Sequence, residues 1–266
     1  MVPGVIVSHA VLAPDGPGVP LVALHGFSLS GADWLPVLSR LPRRPVFAPD
    51  LPNHGSGPLI PPGACSIEAT VDALAAWRAT PGAGQGVDQI DLLGYSLGGR
   101  VALAYTCRFP GSVRRLVLES AMAGLRTEAE RADRRAADEE LATFLEAHPI
   151  GAFVDRWLAQ ALFDGLRTSD KYEAARAARL GRDPRALAAS LRGMGTGSME
   201  PLWERLPGLA VPTLVVAGRF DEKFTALARE LVEAIPDATL GLLEAGHTTH
   251  HEAPEAFVAE LSRFLG

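Results

Sequence analysis

Short apolar runs recur along the chain, separated by longer stretches in which apolar residues return every three or four positions. The runs are Leu21–Leu24, Val46–Ala48, Ile90–Leu93, Leu116–Leu118, Thr213–Ala217 and Leu240–Leu243. The amphipathic stretches are Ile67–Ala79, Gly99–Phe109, Thr225–Ile235 and Pro254–Phe264. Strands that are apolar throughout are buried on both faces, and their alternation with helices predicts an α/β fold with a mainly parallel sheet covered on each side. Active sites in such sheets lie at the carboxyl ends of the strands.

Between about Leu125 and Trp203 the alternation stops. This region is a succession of helix-like segments, Glu128–Glu146, Phe153–Leu162, Lys171–Leu180 and Pro184–Leu191, without a strand candidate. It reads as a helical cap, residues 125–203, inserted into a core formed by 1–124 and 204–266. Pro58–Gly63 and Pro81–Gly86 read as loops.

Composition narrows the function. The 266 residues are 47% hydrophobic and 21% charged with a net charge of −6, which offers nothing to nucleic acid or an anionic membrane. No apolar run approaches the roughly 18 residues of a membrane span. Met1–Ala10 lacks the basic and apolar regions of a leader. Cys65 and Cys107 show no metal-ligand spacing, which fits reduced thiols, and the expected location is the cytoplasm. Of the 25 basic residues 23 are arginine, so an arginine is not marked as functional by its identity alone.

The most informative stretch is Gly94-Tyr95-Ser96-Leu97-Gly98, with a strand-like run before it and a helix-like run after it. This is the pattern of a nucleophile elbow, in which a sharp strand-to-helix turn exposes the serine hydroxyl and glycines on either side avoid collision. A serine needs a histidine to take its proton and a carboxylate to orient that histidine. Asp221 follows the run Thr213–Ala217 and His247 follows Leu240–Leu243, the expected places for acid and base. Glu222 and Glu119 are lesser candidates for the acid, and His250 and His251 for the base. Backbone N–H groups of Phe27, in Leu24-His25-Gly26-Phe27-Ser28, and of Leu97 would form the oxyanion hole. His25 and His54 read as structural residues that brace their loops.

With these residues in place, the whole chain resembles the α/β-hydrolase fold superfamily. More narrowly, from Leu21 onward it resembles the 2-succinyl-6-hydroxy-2,4-cyclohexadiene-1-carboxylate synthases of menaquinone biosynthesis. The specific segments are Gly99-Arg100 after the elbow, Leu118-Glu119-Ser120 with Gly124-Leu125, and Glu130-Arg131 to Arg135 with Asp138. Phe153 to Trp157 with Phe163, Leu191 to Gly197, Asp221 to Phe224, and Gly246-His247 complete them. Asn53 stands where the family has the first glycine of Gly-His-Gly, Ala161 replaces a common proline, and His250 and His251 include an extra histidine.

The resemblance implies a lyase that eliminates pyruvate from a tricarboxylate, with no metal or organic cofactor. It implies substrate-binding roles for Arg100, Arg134 and Arg179, whose planar forks suit carboxylates, and for Trp157 at the site. A small-molecule substrate and a monomer or weak homo-oligomer are expected. Two rival classes stand beside this one. One is a hydrolase acting on an ester, thioester or carbon–carbon bond through an acyl-enzyme. The other is a non-catalytic binding protein, against which an intact Ser96, Asp221 and His247 set argues.

Overall fold

The computed structural model describes residues 6, 9–79 and 87–266. The expected loop at Pro81–Gly86 lies outside the described residues, as does most of Met1–Ala10. The strands are β1 (His9–Leu12), β2 (Leu21–Leu24), β3 (Val46–Pro49), β4 (Ile90–Tyr95), β5 (Val113–Glu119), β6 (Thr213–Gly218) and β7 (Ala238–Leu243). They form one sheet in the order β1-β3-β2-β4-β5-β6-β7. All neighbours are parallel except β1, which runs antiparallel to β3 at the edge.

Burial on both faces explains why the strands read as unbroken apolar runs. In β2, Val22 and Leu24 enter the core on one face, and Leu21 and Ala23 enter the core on the other. Asp91 in β4 is the polar exception; fully buried, it is held by the guanidinium groups of Arg44 and Arg114. A charge at that depth is tolerated only when it is paired.

Helices α1 (Leu35–Leu38), α2 (Ile67–Arg78) and α3 (Leu97–Arg108) precede β5. Between β5 and β6 come α4 (Glu128–Ala147), α5 (Ile150–Leu158), α6 (Asp164–Arg167), α7 (Tyr172–Leu180) and α8 (Pro184–Met194), with no strand. They have an apolar centre of their own, including Ala142, Leu145, Phe153, Val154 and Leu158. Helices α9 (Glu222–Ala234), α10 (Thr249–Glu252) and α11 (Pro254–Leu265) complete the chain. No helix among the described residues is long and apolar enough to cross a membrane.

The differences from the sequence reading are local. Strand β1 escaped notice because an edge strand of four residues carries too little pattern. The expected helix Phe153–Leu162 instead starts at Ile150 and stops at Leu158, where extended Gln160 breaks it before a 3₁₀ turn at Ala161–Phe163. Helix α9 starts three residues earlier than expected because the Asp221 carboxylate accepts from Phe224 N–H at 3.1 Å and caps its first turn. Asn53 occupies its φ of 63°, a conformation asparagine tolerates better than most residues, and its amide side chain binds both N–H and C=O of Ile60.

Candidate active site

Ser96 sits between β4 and α3 with φ 51° and ψ −107°, a strained conformation that the surrounding chain imposes. The flanking glycines are required by space. A Cβ at Gly94 would stand 2.3 Å from the carbonyl oxygen of Gly98, and one at Gly98 would stand 2.2 Å from that of Leu24. The turn therefore pushes helix α3 hard against β2 and β4 and leaves the serine partly exposed at its start.

Asp221 and His247 arrive from the ends of β6 and β7. His247 Nδ1 lies 2.7 Å from Asp221 Oδ2, and its Nε2 lies 3.4 Å from Ser96 Oγ. Asp221 and His247 are buried. Tyr95, Phe163 and Phe224 pack their rings around the imidazole. Ser120 Oγ donates to the carbonyl of His247 at 2.8 Å and holds its loop to the end of β5. Serine, histidine and aspartate thus form one line, with the geometry of a nucleophile or base, its proton acceptor and the acceptor's orienting carboxylate.

The competing candidates are engaged elsewhere. Glu119 accepts from Thr249 Oγ1 at 2.6 Å, from His250 N–H at 3.0 Å, and from His250 Nδ1 at 2.8 Å to each oxygen. Glu222 is exposed on the first turn of α9. His250 and His251 lie on α10, at the entry to α11 as expected. Burial holds His251 neutral, with its pKa lowered to about 2.

His25 and His54 are structural. His25 Nδ1 donates to Gly26 O at 2.8 Å while its Nε2 accepts the Leu51 N–H at 3.0 Å. Burial lowers both histidines to about 3. Their loops bring Phe27 to the site, where its ring meets His54 edge-on and tilts against Trp157.

Ser96 and His247 open onto a cavity of about 310 Å³. Every expected site residue except Asp221, which stands behind His247, lines it: Phe27, Leu97, Arg100, Arg134, Trp157 and Arg179. Arg100 Nη1 donates to Met194 O at 2.7 Å, and Arg179 donates to Ser28 Oγ at 3.1 Å and Ala175 O at 2.5 Å. Both guanidinium groups are buried, at 8% and 1% exposure, and neither meets a carboxylate within ion-pair distance among the described residues. Burial pulls Arg100 down to about 10 and lowers Arg179 as well. Arg134 is paired with Asp138 at 2.9 Å and is partly exposed.

Comparisons with known proteins bear on the family and the fold. The model of the alpha/beta hydrolase family matches residues 21–260. The chain is an enzyme of the α/β hydrolase family. A Salmonella schwarzengrund protein named 2-succinyl-6-hydroxy-2,4-cyclohexadiene-1-carboxylate synthase is 34% identical over 259 residues, covering 97% of this chain and 98% of that protein. The structure of MenH from S. aureus superposes with a TM-score of 0.84 at 30% identity, covering 97% of each chain. A thermophilic esterase from Thermogutta terrifontis, solved with malate bound, superposes at 0.83 with 25% identity, covering 97% of this chain and 92% of the esterase.

This α/β hydrolase family member also lines its cavity with residues to which the sequence reading attached no role. Lys223 and Phe224 follow Asp221 after Glu222, and Tyr95 precedes Ser96. Asp138 and Ser190 lie on α4 and α8 and line the same space. Their positions beside recognised motifs were the available signal; their aim toward the cavity was not legible. Among the described residues no group of three or more His, Cys, Asp or Glu side chains could hold a metal.

Proposed function

We propose that this enzyme eliminates pyruvate from 2-succinyl-5-enolpyruvyl-6-hydroxy-3-cyclohexene-1-carboxylate, as the names of its relatives suggest. The observation that carries this reading is the pair of buried guanidinium groups, Arg100 and Arg179, which line the cavity onto which Ser96 opens and have no carboxylate within ion-pair distance among the described residues. Burying a charge unpaired is costly, and an anionic ligand in the cavity supplies the missing partner. With Arg134 and Lys223 the cavity gathers four cationic side chains against the single carboxylate of Asp138, in a chain whose net charge is −6. A tricarboxylate matches that excess; a neutral ester does not.

In this reading Asp221 orients His247, which takes the Ser96 proton as the serine oxygen removes the ring proton next to the succinyl carbonyl. The electron pair shifts the ring double bond and breaks the carbon–oxygen bond to the enolpyruvyl group. That group leaves as the enolate and takes up a proton to become pyruvate, while the ring becomes the conjugated diene. The N–H groups of Phe27 and Leu97, the latter at the start of α3, suit the negative charge that develops on the substrate oxygen. The helical segment 125–203 acts as a cap, since α4, α5, α7 and α8 supply much of the cavity wall.

The likeness to the Thermogutta esterase favours a second reading, hydrolysis through an acyl-serine. A lactate dehydrogenase-coupled pyruvate assay on the tricarboxylate, run beside p-nitrophenyl ester hydrolysis, separates the two. Pyruvate release that falls roughly ten- to hundredfold in kcat/KM in Arg134→Ala and Arg100→Met is expected. Rapid ester hydrolysis without pyruvate would refute the lyase reading.

A further inference from the structure

One side chain in the cavity runs against its positive lining. Asp138 on α4 is 2% exposed, and its Oδ1 accepts from Arg134 Nε at 2.9 Å. Its Oδ2 has no hydrogen-bond partner among the described residues. Ser190 on α8, 1% exposed, lines the same cavity with a buried hydroxyl in the same condition. The backbone of Gly195 packs close to the carboxylate, where a Cβ would stand 2.3 Å from Asp138 Oδ2.

An unpartnered buried acceptor is costly and calls for an explanation. A second arginine contact would not explain the open oxygen, since Arg100 is bound to Met194 O instead. A carboxylate of the ligand would be repelled from it. An O–H or N–H donor on the ligand can satisfy Oδ2, and a serine hydroxyl can share that same donor group by accepting from it or donating to it.

Resting on the lyase reading above, we infer that Asp138 Oδ2 and Ser190 Oγ form a subsite for the ring hydroxyl of the ligand. The arginines attract the carboxylates, and this subsite fixes which way round the ring lies against Ser96. A ring turned over would bring a carboxylate against Asp138 and be rejected, so the fixed negative charge excludes the wrong orientation. Burial also pushes the Asp138 carboxyl above the ordinary carboxylate range, against the opposing pull of Arg134 and Arg100. A donated ligand proton offsets that loss of water.

Isothermal titration of the elimination product, 2-succinyl-6-hydroxy-2,4-cyclohexadiene-1-carboxylate, and of its 6-deoxy counterpart tests the subsite. The unmodified enzyme should bind the deoxy compound roughly ten- to hundredfold more weakly. In Asp138→Leu and Ser190→Ala that ratio should fall towards one, and in Asp138→Asn, which keeps the shape and an acceptor for Arg134, it should be intermediate. Both ligands meet the same variant, so a general loosening of the cavity cancels in the ratio. If Asp138→Leu does not fold, Ser190→Ala decides. Equal binding of the two ligands by the unmodified enzyme, or an unchanged ratio in the variants, overturns the subsite; pyruvate release by the same preparation then leaves the lyase reading standing. An unmodified enzyme that neither releases pyruvate nor binds the product overturns that reading and the subsite together.

Discussion

Two carboxylate–histidine pairs stand side by side in this molecule, three residues apart on the histidine side. In one, Asp221 holds His247 Nδ1 at 2.7 Å; in the other, Glu119 holds His250 Nδ1 at 2.8 Å. Both are buried, and Tyr95 packs against both imidazoles. They differ in what each ring faces. His247 turns its other nitrogen to Ser96 and borders the cavity, whereas His250 is walled in by Trp34, His251 and Phe257. A carboxylate–histidine pair can relay a proton only where its second nitrogen meets a reacting group. The enclosed pair is a fastener: through Thr249 and His250, Glu119 ties down the segment that carries His247.

The contrast can be broken by substitution. His247→Gln should lower kcat for pyruvate release by at least roughly 10⁴ in the coupled assay, whereas folded His250→Gln should stay within about tenfold of the unmodified enzyme. Asp221→Asn should cost roughly 10²–10⁴ in kcat, because the imidazole loses the acceptor that sets its tautomer. Glu119→Gln should act on stability instead, lowering it by about 2 kcal/mol in denaturant unfolding as donors of Thr249 and His250 lose a charged acceptor. A Glu119→Gln protein of full stability and Asp221→Asn-like activity would abolish the distinction.

A further expectation concerns acid. His25 and His54 are lowered to about 3 and His251 to about 2, all by burial, so the unfolded chain binds protons below pH 6.5 that the folded chain refuses. The stability they contribute is complete above pH 6.5 and is lost as the pH falls from there towards 3. The melting temperature should decline across that window, and replacing His251 with Phe should make the decline shallower. A melting temperature constant from pH 7 to 4 would refute the assignment of these rings as neutral.

Much of the site was legible in the residue order. The elbow announced itself because its glycines, its strand and its helix are contiguous, and the steric need for Gly94 and Gly98 acts within one turn. Asp221 and His247 were legible because each follows an apolar run closely. Asn53, a departure from the family pattern, proved compatible with the same turn. Strand β1 and the start of α9 were not legible: the first has too few residues, and the second depends on a carboxylate that both caps a helix and orients a histidine.

Local pattern was enough for the fold class and for the position of the sharp turn at Ser96, since both follow from backbone preferences and burial within a few neighbouring residues. Tertiary structure alone walled His250 off behind Trp34, His251 and Phe257, brought Arg179 to Ser28 across 151 positions, and left Arg100 and Arg179 without a carboxylate within ion-pair distance among the described residues. Those outcomes depend on which distant side chains share a small buried volume, where the cost of an unpaired charge or donor is set by every neighbour at once. No spacing along the chain encodes that cost.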